Sequence, residues 1–95
     1  MYAVVGVWNT DPGMADQHQD SLLNRIVPGV RQLPALVTGY WAGKPDGDRS
    51  YTFILFEDAS AAEAFAAGVR ANAAAQAGNG VTNVELAVVP VVAQT

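Results

Sequence analysis

The sequence predicts an α+β fold with the element order β-α-β-β-α-β. Three observations carry this. Apolar runs rich in β-branched and aromatic residues occur at YAVVGVWN, ALVTGYWAG, RSYTFILFE and VTNVELAVVPVVAQT. Stretches with helical spacing separate the first run from the second and the third from the fourth. Only KPDGD, rich in turn-forming residues, separates the second from the third, so those two strands form an antiparallel hairpin.

Each element has its own justification. In the first strand both alternating sets are apolar: Tyr2, Val4 and Trp8 on one face, Ala3, Val5 and Val7 on the other. Such a strand is covered on both sides. Thr10-Asp11-Pro12-Gly13 then starts a helix, with Thr10 or Asp11 as cap and Pro12 at the first helical position. Leu22, Leu23, Ile26, Val30 and Leu33 form its apolar stripe, opposite Asp16, Gln17, Asp20 and Asn24. Pro28-Gly29 predicts a break or kink, with Val30–Leu33 as a further turn. Pro34 holds Leu33 extended ahead of the second strand. After the third strand, Asp58 or Ser60 caps a second helix, and Glu63 stands three residues past Ser60 as in a capping box. Ala62, Phe65, Ala66 and Val69 form its stripe, and Gly78-Asn79-Gly80 ends it. Pro90 implies that the last strand ends at a sheet edge or crosses to another chain.

This order is the ferredoxin-like arrangement. Right-handed crossovers place both helices on one face of the sheet. The other face is left bare, although the first strand is apolar on both sides. Exposed apolar area on the order of several hundred Å² is more than monomers usually carry. Composition agrees: 51% of residues are hydrophobic and only 15% charged, against about 25% charged in an average domain. The expectation is a homodimer whose bare sheet faces pack into a shared barrel, each protomer forming a single domain over 1–95.

Composition also excludes function classes. There is no Cys, hence no disulfide and no thiolate chemistry. The net charge is −4 and the five Lys and Arg are scattered, which argues against a nucleic-acid partner. MYAVVGVW lacks a basic leader and soon meets an acidic turn, so it reads neither as a signal peptide nor as a membrane span. A cytoplasmic location is expected. A lone His without Cys or paired carboxylates offers no metal site. Gly78-Asn79-Gly80 follows a helix rather than a strand, so it is a helix stop and not a phosphate loop.

IVPGVRQLPALVTGYW leads from the first helix into the second strand, and FILFEDASAAEAF from the third strand into the second helix. On these segments and on the strand order, the chain resembles the dimeric α/β-barrel superfamily over nearly its full length. Within it, the chain is most similar to the antibiotic-biosynthesis-monooxygenase-like group. The resemblance implies one of several activities, among them cofactor-free oxygenation of polycyclic aromatic substrates, haem degradation and muconolactone isomerisation. Fold alone does not choose among them. Haem degraders carry an Asn in mid-strand one, a Trp at the end of strand three and a His in helix two. Here those places hold Gly6, Phe56 and no His between 59 and 77. Three departures argue against haem degradation, and no cofactor is expected.

Several residues are candidates for a site, each beside a plainer reading. Trp8 with Gly6 lines a cavity if their face is the bare one, or fills a dimer core. Asn9 points the other way at the strand end, where it caps a turn or bonds a ligand at the mouth. Tyr40 and Trp41 point to opposite faces. Tyr51, Phe53 and Phe56 add aromatic surface that suits a flat apolar ligand or a packed core. His18 shuttles a proton in a cleft or is a partly exposed helix residue. Arg25, Arg31, Arg49 and Arg70 form no cluster in the sequence. The candidate ligand-binding set is therefore Trp8, Gly6, Trp41, Tyr51 and Phe56, with Asn9 and His18 as catalytic candidates. The leading expectation is a dimer that binds a small apolar or aromatic ligand without catalysis. The alternatives are a cofactor-free monooxygenase-like enzyme on an aromatic or quinone-like substrate, and a structural dimer with a filled barrel.

Overall fold

In a computed structural model that describes all 95 residues, four strands form one antiparallel sheet in the order β2-β3-β1-β4. The strands are β1 (Tyr2–Thr10), β2 (Leu36–Gly43), β3 (Arg49–Phe56) and β4 (Val81–Pro90). Between β1 and β2 runs a helical stretch: a 3-10 turn Pro12–Met14, α1 (Ala15–Ser21), a π turn Leu22–Ile26 and α2 (Val27–Arg31). Between β3 and β4 lie α3 (Ala59–Ala71) and α4 (Ala73–Gly78). The helices cover one face of the sheet, as the two crossovers require. No helix is long and apolar enough to cross a membrane.

Register assigns every strand residue to a face. Val4 pairs with Ile54 and Val88, and Gly6 with Thr52 and Leu86. On β2, Gly39 pairs with Ile54 and Trp41 with Thr52. All of these share the covered face, where Val4, Ile54 and Phe56 meet Ala62 and Ala66 of α3 and Val30 of α2 in one core. Alanines at 62 and 66 are fully buried. Their small side chains let α3 lie close to the sheet, and the Phe65 ring packs on Phe56 at a centroid distance of 5.6 Å. The opposite face carries Val5, Val7, Tyr40, Tyr51, Phe53 and Ala87. Nothing in the protomer covers it: Tyr40 is 64% exposed and Phe53 44%.

The first helical stretch departs from its expected course. It runs through Pro28-Gly29 without a break and stops at Arg31, so Val30–Leu33 is not a separate turn. The irregularity sits one turn earlier, where the Val27 N–H donates to the carbonyl of Leu22, a π-type bond. Pro28 cannot donate to the Asn24 carbonyl and its ring crowds that carbonyl. A widened turn upstream gives it room. The stripe on this stretch is also less buried than its spacing implies. Only Val30 is buried, while Leu23 and Ile26 are exposed.

The second helix is interrupted at Asn72 and resumes as α4. Its cap is Asp58, whose carboxylate accepts from the Ala61 N–H at 2.8 Å and from the Ser60 hydroxyl at 3.1 Å. Ser60 thus supports the cap rather than forming it. The stretch ends at Gly80, which has a φ of +76° and whose missing side chain leaves room for Asp11 and Met14. β4 is an edge strand, and Pro90 closes it. One extra residue, Val84, bulges from β4 opposite the Val7/Trp8 junction. The Asn83 side-chain amide bridges the gap, donating to the carbonyls of Val7 and Glu85.

Candidate functional site

A sizeable hollow lies between the sheet and its helices. A cleft of about 530 Å³ opens between the covered face near Trp8 and Trp41, the first helical stretch, and the end of the second. Leu22 and Ile26 border it, which explains why the stripe of that helix is only partly packed. The π turn therefore lies directly on the cleft, a common place for such turns.

Two tryptophans wall the cleft, and they are held in similar ways. Trp8 ends Gly6-Val7-Trp8 on β1, and Trp41 ends Gly39-Tyr40-Trp41 on β2. Strand alternation puts each glycine on the same face as its tryptophan. The six-membered ring of Trp8 lies over Gly6 so closely that a Cβ there would overlap it. At Gly39 a Cβ would stand 3.4 Å from the Trp41 ring and 2.8 Å from the Ile54 methyl. Gly6 thus opens no gap of its own; the Trp8 ring takes the space that the glycine leaves.

The polar groups around the cleft are unevenly satisfied. Trp8 is 8% exposed, and its indole Nε1 is buried with no hydrogen-bond partner. The Gln76 Oε1, from α4, is also buried and unpartnered. Leaving such a group unsatisfied costs about 1–3 kcal/mol. His18 also borders the cleft, and its Nε2 lies 2.6 Å from the Asn79 carbonyl. A carbonyl only accepts, so Nε2 carries a proton and donates it to this bond. This bond ties α1 to the turn before β4 across the cleft. No three of the His, Asp and Glu side chains come together as a metal cluster.

The remaining candidates lie elsewhere. Asn9 is on the bare face, where its Oδ1 accepts from the Arg49 guanidinium at 3.0 Å. Tyr51 pairs with Val7 and Ala42 on that same face, outside the cleft. Phe56 is on the covered face but in the core. It borders a separate apolar hollow of about 160 Å³ with Leu33, Pro34 and Phe65. The structure thus gathers Trp8, Gly6, Trp41 and His18 and separates them from Asn9, Tyr51 and Phe56. Thr52 and Gln76 also border the cleft without being singled out by the sequence, and Arg25 does so as one of four arginines that form no cluster there. Gln76 sits in a run of alanines whose spacing gives no sign that its amide is buried. Arg25 lies within a π turn that periodicity does not reveal.

No protein-family model matches the sequence, and no curated protein matches it either. Solved structures match over the full length. A protein of Deinococcus radiodurans named for antibiotic biosynthesis monooxygenases superposes with a TM-score of 0.78 at 16% identity, over 100% of this chain and 96% of that one. The fold is that of antibiotic-biosynthesis-monooxygenase-like proteins. The monooxygenase ActVA-Orf6 of Streptomyces coelicolor, solved with nanaomycin D, shares this fold with a TM-score of 0.65 at 15% identity, over 99% of this chain and 90% of that one. The haem degrader MhuD of Mycobacterium tuberculosis gives 0.73 at 16% identity, over 100% and 99%. The four-stranded antiparallel sheet with helices on one face is common to this group, which holds proteins of different chemistry.

Proposed function

We propose that this protein binds a small, flat, apolar or aromatic ligand in the cleft between helices and sheet, without catalysis. The observation that carries the reading is the cleft itself: about 530 Å³, walled by two tryptophans, with a buried indole N–H that has no partner. That volume lies within the usual range for small-molecule sites. Titration of a planar tricyclic quinone, followed by quenching of tryptophan fluorescence, tests it. Saturable binding is expected, and Leu22→Trp, which fills the cleft, should abolish it. Absence of binding to the parent protein, or unchanged binding in the filled variant, would sink the reading.

A second reading, cofactor-free oxygenation of a quinone-like substrate, is favoured by two observations. Among the similar structures is a monooxygenase solved with nanaomycin D. An unpartnered N–H beside a cleft is also a group that stabilises a phenolate. Oxygen uptake on adding a reduced hydroxyaromatic compound would favour this reading, and binding without uptake favours the first. Haem does not fit these residues. The only imidazole is His18, whose Nε2 is committed to the Asn79 carbonyl, and α3 and α4 supply none.

The bare face supports a homodimer, two copies of this span packing sheet to sheet in a cytosolic protein. Tyr40, Phe53 and Val89 are exposed there together, beside half-buried Val5, Val7 and Leu55. Sedimentation should give twice the protomer mass, and Phe53→Asp should give one. A parent protein that sediments as a monomer at micromolar concentration would refute the dimer.

A further inference from the structure

The two helical stretches are held to the sheet by different means. In α3, Ala62 and Ala66 are fully buried in the core beside Val4, Ile54 and Phe56. In the first stretch no residue from 12 to 29 is buried, and only Val30, in its last turn, enters the core. Leu22 is half-buried, and Leu23 and Ile26 are 56% and 38% exposed. The cause lies beneath the helix. Ala15, His18, Leu22 and Ile26 follow one another at helical spacing and all border the cleft. The side of the helix that should pack on the sheet therefore looks onto a hollow.

Hydrogen bonding repeats the contrast. Apart from bonds within the stretch and to its flanking turns, residues 15–31 make one hydrogen bond to the rest of the molecule: His18 Nε2 donates to the Asn79 carbonyl at 2.6 Å. None of Asp16, Asp20, Arg25 and Arg31 forms an ion pair. Asn79 caps the end of α4, where helix carbonyls lack partners of their own, and His18 supplies one. Ahead of the stretch the chain is fixed, because the Asp11 N–H donates to the Gly80 carbonyl at 3.0 Å.

We infer that the first helical stretch is a lid over the cleft, anchored at Val30 and latched near its start by His18 on the Asn79 carbonyl. Opening gives up one exposed hydrogen bond and little buried apolar surface, so it costs far less than unfolding the sheet. Tethered at both ends, the lid opens by melting rather than by swinging. Its pieces, of seven, five and five residues, are too short to stay helical away from the sheet. The open state thus exposes the cleft and the amides of the lid together. No ligand takes part, so failure of the lid and failure of the binding reading are told apart.

Native-state hydrogen exchange on the full-length protein tests this. Amides bonded within the first stretch should exchange at least about tenfold faster than those around Ala62 and Ala66 in α3. His18→Ala should speed exchange in the first stretch only, by roughly fivefold for one hydrogen bond. Alanine is the better helix former, so lost helix propensity cannot produce that change. His18→Gln, whose amide again offers an N–H, should restore most of the protection. Both tryptophans of the chain border the cleft, so acrylamide quenching of their fluorescence should rise in His18→Ala and fall back in His18→Gln. Equal exchange in the two helical stretches of the parent protein overturns the lid, and so does quenching that fails to rise. Unchanged exchange in His18→Ala, equal acceleration in α3, or no recovery in His18→Gln overturns the latch. The first comparison uses the parent protein, so a variant that fails to fold does not decide it.

Discussion

The two faces of the sheet are built from the same strands and do opposite things. On β3 the neighbours Phe53 and Ile54 show the contrast: Ile54 is 0% exposed against the helices, and Phe53 is 44% exposed on the other side. The covered face is not simply the filled one. Around Val4, Ile54 and Phe56, on β1 and β3, it is packed against alanines of α3. Toward Trp8 and Trp41 it stands open, because the π-turned first helix leaves a cleft beneath it. The bare face exposes Tyr40, Phe53 and Val89 with nothing of the protomer over them. The comparison teaches that an apolar face and a binding face are separate properties. The first needs only the right alternation, whereas the second needs a helix held off the sheet.

The contrast can be broken by substitution. Ile54→Ala should have the largest effect, a loss of about 3 kcal/mol, read as a fall in the urea midpoint. A protein of this size has little stability to spare, so the variant will be largely unfolded at modest denaturant. The same change at Phe53 should cost the protomer far less and act through association instead. Equal losses at 53 and 54 would mean that the faces are not distinguished as described.

Gly6→Ala comes next. Its new methyl would overlap the Trp8 ring, so the indole must leave its position; about 2 kcal/mol is expected. Gly39→Ala should cost less, about 1 kcal/mol, because its nearest obstacle is the flexible end of Ile54 and its distance to Trp41 is ordinary. Near-ultraviolet circular dichroism should register the displaced indole in the first variant and little change in the second. The reverse ranking would refute the view that the two glycine–tryptophan pairs differ in tightness.

Ala35→Gly should have the smallest effect. Ala35 is the one non-glycine residue with positive φ, at +63°, and its carbonyl accepts from the Glu57 N–H at 2.8 Å, joining the start of β2 to the end of β3. Glycine would relieve the left-handed strain but lose entropy on folding, leaving a net gain of about 0.5 kcal/mol. A loss of stability in thermal melts would show that the Ala35 methyl matters to packing more than its backbone strain.

Much of this was legible in the chain. Strand alternation, the KPDGD turn and the Gly78-Asn79-Gly80 stop are local, so spacing and turn chemistry determine them. Spacing narrows each helix start to two residues, of which the structure uses Asp11, accepting from the Gly13 N–H at 2.9 Å, and Asp58. The separation of Trp8 from Asn9 is local too, and follows from a period of two. The sequence alone also determined that one sheet face must be apolar and uncovered by its own helices. It could not decide which face Trp8 and Trp41 share, because β1 is apolar on both sides and alternation is blind to direction. That was decided by where α3 sets its alanines, on the side of Val4, Ile54 and Phe56. Nor could it show the cleft. A cavity arises from the distance between elements, and the one here depends on a π turn in the first helix and on Gln76 reaching in from α4. Such distances are set by the sum of many contacts rather than by any motif, which is why only the tertiary structure brings Trp8, Trp41, His18, Arg25 and Gln76 around one space.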